Sequence, residues 1–163
     1  MKCPACESQL SEKKVSGIGV FACIGSCGGF WFPYKQAKKI KRVKPGAGCE
    51  LLNLDKAYGV KIYRGAEHPC PQCKTTLLYR HFYSKDLDTE VNQCSKCSGF
   101  WIDAGGLIDI IKTSKNEDLI AKYFTILQNE KISGMNLANP DIAEAASMMI
   151  AIFKFINPGL RAK

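Results

Sequence analysis

The sequence has no stretch approaching the roughly 18 uninterrupted apolar residues of a membrane-spanning helix. No apolar run precedes its first cysteines, so no secretory signal is predicted and we expect a cytoplasmic protein. It also has no phosphate-binding glycine loop and no recognisable motif of paired carboxylates. These absences argue against a membrane-spanning protein and against the common kinds of enzyme.

Histidine is scarce, whereas cysteine is abundant. His68 and His81 are the two histidines, and neither has a partner at metal-ligand spacing. The chain has nine cysteines, and in a reducing cytoplasm clustered thiols more often hold a metal than form disulfides. The odd number indicates eight thiols in use and one spare. The spare residue, Cys49, is predicted to be a small apolar position in a strand between the clusters.

The cysteines lie in an internal repeat. "CPACESQL" from Cys3 aligns with "CPQCKTTL" from Cys70, and "CGGFW" ending at Trp31 aligns with "CSGFW" ending at Trp101. The offset is 67 residues for the first pair and 70 for the second, so only the loop between them changed length. The chain therefore contains two copies of one unit.

Each copy carries two close pairs of thiols, which suits one tetrahedral Zn²⁺. The predicted ligands are Cys3, Cys6, Cys23 and Cys27 in the first copy and Cys70, Cys73, Cys94 and Cys97 in the second. Strand-like segments between the pairs, "VFAC" in copy one and "LLYRHFY" and "DTEVNQC" in copy two, predict a small hairpin and so a zinc ribbon. A unit of some forty residues cannot fold on its own core, and structural zinc supplies about 10 kcal/mol or more.

Two alternatives to structural zinc exist. A redox CxxC motif needs a βαβ setting, which is not visible. The CxxxC spacing of Cys23 and Cys27 leaves open that the first copy is degenerate and lacks metal. Because a complete cysteine quartet leaves no open position on the metal, no hydrolytic chemistry is expected and the chain is predicted not to be an enzyme.

Both copies end in Gly-Phe-Trp. We expect the aromatic pairs, Phe30 with Trp31 and Phe100 with Trp101, to cover the metal sites with apolar surface. The alternative is that the tryptophans stack on nucleic-acid bases. The preceding glycines, at positions 29 and 99, are predicted to let the backbone turn close to the metal.

The stretch "CPQCKTTL…CSKCSGFWIDAGGL" resembles the prokaryotic zinc-finger family named after the zinc ribbon of transcription factor IIB. The family pattern is CPxC…L followed by CxxC-G-x-W-x-D-x-G-E-L. Copy two departs from it at Gly106, which replaces the acidic residue, and at Ser98, which shifts the glycine by one place. Copy one departs further, with Pro33 where copy two has Asp103. The resemblance implies a zinc-ribbon fold and bound zinc, and it suggests nucleic-acid or transcription roles.

The formal net charge is +8, and two zinc sites would reduce it to +4, because each Zn²⁺ with four thiolates carries −2. One segment remains strongly basic after the charge of the zinc sites is included. Its cations are Lys35, Lys38, Lys39, Lys41, Arg42 and Lys44. A helix is predicted after Pro33, with four of them on one face: Lys35, Lys38, Lys39 and Arg42. That face either binds nucleic-acid phosphates or is only a solvated surface.

Helical signals follow the second copy. Asp103 is predicted to cap a short helix through "LIDIIK", and Ser114 with Glu117 forms a capping box before a second helix. A last helix is predicted between Asn139 and Asn157. Its apolar arc is wider than one neighbouring helix covers, so it is either the centre of an intramolecular bundle or an association surface. We expect the association surface, formed by Met149, Ile152, Phe153 and Ile156.

The predicted fold class is small α+β: two tandem zinc ribbons, each followed by a short helix, and a C-terminal helical segment. The predicted divisions are 1–44 for ribbon one with the basic helix, 45–67 between the ribbons, 68–112 for ribbon two and 113–163 for the helical region. We expect two zinc ions, no small-molecule substrate, and a protein partner or self-association. Nucleic-acid binding through residues 35–44 is the alternative.

Overall fold

The computed structural model of the chain describes residues 1–63, 67–84, 89–103 and 140–157. Six strands form one antiparallel sheet in the order β1-β2-β3-β6-β5-β4. The strands are β1 Ser11–Val15, β2 Ile18–Ala22, β3 Phe30–Phe32, β4 Leu78–Ser84, β5 Thr89–Cys94 and β6 Phe100–Asp103. Helices α1 (Tyr34–Ile40) and α2 (Pro140–Ile156) and a 3₁₀ helix (Cys49–Asn53) complete the described structure. Within these ranges, no helix has the length and apolar character needed to cross a membrane.

Each copy contains the hairpin of a zinc ribbon. In copy two, β4 pairs with β5, as the sequence predicts, with an irregular register between Arg80 and Phe82. In copy one, β1 pairs with β2 through a two-residue turn at Ser16 and Gly17, both at positive φ (49° and 80°). Such turns suit the twist of a hairpin. The polar sequence of β1 gave no strand signal, so the sequence located only one strand of this hairpin.

The two copies share their sheet. β3 and β6 pair antiparallel, with Phe30 opposite Ile102 and Phe32 opposite Phe100. Nothing in the sequence indicated this pairing, since the repeat is compatible with two separate ribbons. The predicted residue divisions stay a prediction, but the strands of both copies belong to one continuous sheet.

Strand alternation gives the sheet two different faces. Trp31 and Trp101 lie on the face that carries the cysteines, whereas Phe30 and Phe100 lie on the opposite face with the helices. The expectation that both aromatic residues of each copy cover the metal is therefore correct for the tryptophans and wrong for the phenylalanines. Both tryptophans are buried, at 0% and 2% exposure, which confirms core packing rather than base stacking.

Helix α2 packs on the helical face of the sheet, and its bounds confirm the predicted last helix. Its buried residues are Ala145, Met148, Met149, Ile152, Phe153, Phe155 and Ile156. The predicted association surface of Met149, Ile152, Phe153 and Ile156 is wrong, because all four are at most 2% exposed. The seven-residue α1 is too short to cover the sheet, and α2 supplies the apolar surface that completes the core.

The loop at 45–48 closes the end of α2. The amides of Gly46 and Gly48 donate to the carbonyl oxygens of Lys154 and Phe155, both at 2.8 Å. These bonds satisfy carbonyls that have no partner within the helix. Cys49 follows this loop and begins the 3₁₀ helix, so the strand predicted there is wrong; its side chain is half-buried against the core.

The predicted short helices after Asp103 and after Ser114 lie outside the described residues. The helix predicted after ribbon one is confirmed as α1, which begins directly after Pro33.

Candidate metal centres

The first cysteine quartet is complete and largely buried. Sγ of Cys3 lies 3.5 Å from Sγ of Cys27, and Sγ of Cys6 lies 3.5 Å from Sγ of Cys23. All four sulfur atoms lie within 4.8 Å of one another. The CxxxC spacing therefore brings both thiols to the same centre, and copy one is not degenerate at its ligands.

The second quartet has the same arrangement. Sγ of Cys70 lies 3.6 Å from Sγ of Cys97, and Sγ of Cys94 lies 3.9 Å from Sγ of Cys73. Tetrahedral zinc with Zn–S bonds near 2.3 Å requires sulfur–sulfur separations of roughly 3.8 Å. The separations in both quartets fit this requirement. These are two four-cysteine zinc sites, and the sequence predicted all eight ligands.

The repeat is also visible in the backbone of the knuckles that carry the ligands. The residue after each CPxC motif is in the left-handed region, Glu7 at φ 63° and Lys74 at φ 64°. Its amide donates to the carbonyl oxygen of the first cysteine, at 2.9 Å in copy one and 2.8 Å in copy two. The second knuckles also match, with Gly28 and Ser98 at positive φ after the last cysteine. At each of these two positions the copies carry different residues with the same backbone conformation, because the geometry of the metal ligands requires it.

Ser26, the last of the three residues between Cys23 and Cys27, has a role of its own. Its hydroxyl lies 3.3 Å from Sγ of Cys6 and 2.9 Å from the hydroxyl of Ser8. Its carbonyl accepts the amide of Ala57 at 3.0 Å, and the amide of Gly25 donates to the carbonyl of Asp55 at 2.7 Å. Hydrogen bonds from the three residues between Cys23 and Cys27 therefore hold the segment between the copies against zinc site one.

The tryptophans link the two sites. A Cβ atom on Gly29 would lie 2.3 Å from the ring of Trp101, and one on Gly99 would lie 2.3 Å from the ring of Trp31. Each tryptophan therefore occupies the space above the glycine of the other copy. Neither Gly29 nor Gly99 has a positive φ, so their predicted role in turning the backbone is wrong; they make room for the rings.

Without metal, the thiols in each quartet compete for protons. Hydrogen bonding to neighbouring thiols, chiefly Cys23, raises the pKa of Cys3 far above its usual range, and the bond with Cys27 lowers the pKa of Cys23 to about 2. Burial raises the pKa of Cys70, and it raises the pKa of Cys97 to about 11. Four thiolates in such close contact need a cation, and Zn²⁺ supplies it.

The predicted phosphate-binding residues are exposed, but they do not form one helical face. α1 ends at Ile40, so Arg42 and Lys44 lie in the turn that follows and not on the helix. Lys38 lies 4.6 Å from the centre of the Tyr34 ring and 4.0 Å from a carboxylate oxygen of Glu144. The exposed cations are Lys35, Lys38, Lys39, Lys41, Arg42 and Lys44.

His68 has a backbone partner. Its Nε2 lies 2.6 Å from the carbonyl oxygen of Tyr63, and neither metal quartet includes it. The side chain of His81 lies outside the described residues.

No pattern in the sequence indicates the buried carboxylate of Glu90. One of its oxygens accepts a hydrogen bond from the Asn92 amide at 2.7 Å, and the other lies 3.1 Å from the Arg80 guanidinium. Asn92 lies two positions further along the same strand, β5, whereas Arg80 lies on β4 opposite Asn92, so only the strand register could identify the contact with Arg80.

The family model described as transcription factor zinc-finger, of the TFIIB zinc-ribbon type, matches residues 2–43 and 69–113. These two segments make up more than half of the chain and coincide with the two copies. Comparison with curated proteins and with solved structures gave no significant match. With its two complete cysteine quartets, this chain belongs to the TFIIB-type zinc-ribbon family, of which it carries two tandem copies.

Proposed function

We propose that this chain is a non-enzymatic adaptor or assembly subunit that binds another protein. The observation that carries the proposal is the closure of both metal sites: each has four sulfur ligands within 4.8 Å of one another. A complete thiolate set leaves no position on the zinc for a substrate or an activated water. Zinc here serves the fold, and we place the protein in the cytoplasm, where clustered thiols stay reduced.

Exposed apolar side chains near zinc site one support a protein partner. Ile24 projects from the knuckle of Cys23 and is 39% exposed, and Tyr58 and Tyr63 lie on the segment between the copies. That segment is tied to the knuckles, with the amide of Tyr63 donating to the carbonyl of Ala5 at 3.0 Å. Apolar groups held on a rigid frame lose little conformational entropy on binding, which favours protein recognition.

A second candidate function is nucleic-acid binding through the basic segment 35–44. Its six cations are exposed, and the 4.0 Å contact of Lys38 with Glu144 is a surface pair that neutralises little. Phosphate backbones bind to such segments without a shaped pocket. Protein binding is preferred because the buried Trp31 and Trp101 are not available to stack on bases.

Isolation of the complex from native cells, with and without nuclease, tests the proposal. We expect a protein partner that persists after nuclease treatment and at about 200 mM salt, because phosphate binding weakens by orders of magnitude between about 50 and 200 mM. Loss of the partner on nuclease treatment would establish the second candidate instead. Catalysis that disappears on replacing a non-cysteine residue, with the fold intact, would contradict both.

A further inference from the structure

The two zinc sites differ in how well the protein shields their second pair of ligands. Turn one (residues 23–27) ends at Cys27, which is buried together with the residue on each side of it. Turn two (residues 94–97) ends at Cys97, which is half-buried, and both of its neighbours are also at least partly exposed. A cleft of about 350 Å³ opens beside turn two, with Ser95 in its lining. A small molecule in water therefore reaches the sulfur of Cys97 more readily than that of Cys27.

The segment between the copies shields turn one. Backbone hydrogen bonds join residues 55–57 to this turn. The Lys56 side chain also packs beside it, since a Cβ atom on Gly28 would lie 2.6 Å from Cε of Lys56. In the described part of the chain, no comparable segment is hydrogen-bonded to Ser95 or Lys96 of turn two. The two turns have matching roles in the repeat, but only turn one is covered in this way.

A hydroxyl group protects the one partly exposed ligand of site one. Cys6 is half-buried, and the Ser26 hydroxyl lies 3.3 Å from its Sγ. In the zinc-loaded protein Cys6 is a thiolate without a proton, so this hydroxyl donates to the sulfur. A thiolate that accepts a hydrogen bond is a weaker nucleophile, because the bond stabilises its negative charge. At site two the hydroxyl of Thr75 donates to the carbonyl oxygen of Cys73, at 3.4 Å, rather than to its sulfur.

We propose that site two is a thiol-oxidation site, at which hydrogen peroxide oxidises Cys97, Cys70 forms a disulfide with it, and the zinc ion is released. Site one keeps its zinc in this first step, because burial and the Ser26 hydroxyl protect its sulfurs. The inference goes beyond the proposed function and holds whichever partner the chain binds.

The reaction consumes two thiolates and one peroxide molecule. The Cys97 thiolate attacks a peroxide oxygen, so that an S–O bond forms, the O–O bond breaks and hydroxide leaves. The thiolate of Cys70, which is 1% exposed and whose Sγ lies 3.6 Å from that of Cys97, then attacks the sulfenic sulfur. An S–S bond forms, the S–O bond breaks and a second hydroxide leaves. The two sulfurs lose two electrons and the peroxide gains them, and the zinc ion is left with two thiolates and dissociates.

The test adds hydrogen peroxide to the full zinc-loaded chain and then blocks the remaining thiols with N-ethylmaleimide. A chromogenic chelator measures the released zinc, and peptide mapping by mass spectrometry identifies the first disulfide while only about a tenth of the zinc has been released. Early sampling is needed because the shared sheet is expected to carry the disruption to site one later. Ser26→Ala removes the hydroxyl beside Cys6, and Ser95→Ala, at an exposed serine of turn two, is the matched control.

We expect the disulfide between Cys70 and Cys97 to form at least about tenfold faster than any disulfide of site one. Zinc should bind again after reduction with dithiothreitol. Ser26→Ala should accelerate the oxidation of site one by about threefold or more, because its sulfur loses a charge-assisted hydrogen bond, and Ser95→Ala should change neither rate. Zinc content and circular dichroism before oxidation verify that each variant is folded.

The inference is overturned if the first disulfide lies in site one, if both quartets oxidise at equal rates, or if Cys49 is oxidised while both zinc ions stay bound. An unchanged rate at site one in a folded Ser26→Ala protein would overturn the protective role of that hydroxyl. Should Ser26→Ala fail to fold, the order of disulfides in the unmodified chain decides by itself.

Discussion

Trp31 and Trp101 lie directly opposite each other in the pairing of β3 with β6, and each ring covers the glycine that precedes the Phe-Trp pair of the other copy. This reciprocal contact joins the two zinc ribbons through their cores. Each ribbon therefore depends on a side chain from the other, so the two copies should behave as one folding unit.

The contact predicts that an added methyl group at either glycine is strongly destabilising. Gly99→Ala would place a Cβ 2.3 Å from the Trp31 ring, which is fully buried and has no room to move. We expect a loss of about 3 kcal/mol in the free energy of unfolding, measured by urea denaturation. Gly19→Ala is the control, because its Cβ would meet only Gln36 at an ordinary 3.5 Å. Equal effects of the two substitutions would contradict the interlock.

The zinc sites should be lost together. Cys94→Ser disables site two, and the shared β3–β6 pairing should carry the disruption to site one. We expect elemental analysis to fall from about two zinc ions per chain to well below one, with the tryptophan fluorescence shifting to that of exposed rings. A variant that retains one full zinc ion and a native spectrum would show that the ribbons fold independently.

Zinc uptake should release protons. Burial raises the pKa of Cys70, and it raises the pKa of Cys97 to about 11, so both thiols are protonated in the apo state at neutral pH. Binding as thiolates must expel those protons, and zinc affinity should therefore increase as the pH rises towards these values. Calorimetry of apo protein in buffers of different ionisation enthalpy measures the release, which we expect to be at least two protons per ion at site two. Heats independent of the buffer would contradict this.

Phe153→Asp should unfold the helical layer. Phe153 is 2% exposed in the core, so an aspartate there buries a charge without a partner. We expect a loss of about 4 kcal/mol or more in stability, seen as a large fall in the melting temperature. Ile150→Asp, at a half-buried position at the edge of the core, should cost much less. A folded Phe153→Asp protein with unchanged stability would restore the association surface predicted from the sequence.

The metal centres could be predicted because short motifs in the sequence specify their ligands. A CPxC or CxxC motif sets two sulfurs within reach of one ion, and the repeat identifies the second pair in each copy. The positions of α1 and α2 were equally local, since Pro33 and Pro140 mark where each helix begins.

The rest depended on contacts between distant parts of the chain. β1 carries a polar sequence that becomes a strand only because β2 is beside it. The apolar arc of α2 could contact either a partner protein or the core of its own chain. It belongs to the core because α2 covers a face of the sheet that would otherwise be exposed.

The two four-cysteine zinc sites follow from the amino-acid sequence alone, because ligand identity and spacing are properties of short segments. The folded chain was needed to show that the two ribbons form one sheet and that Gly29 and Gly99 make room for tryptophan rings of the opposite copy. The pairing of β3 with β6 joins residues about seventy positions apart. The hydrophobic effect that favours such packing is non-directional, so a sequence pattern does not specify which two apolar surfaces meet. Which apolar surfaces pack together depends on which of them are still exposed to water after the local hairpins and helices have formed.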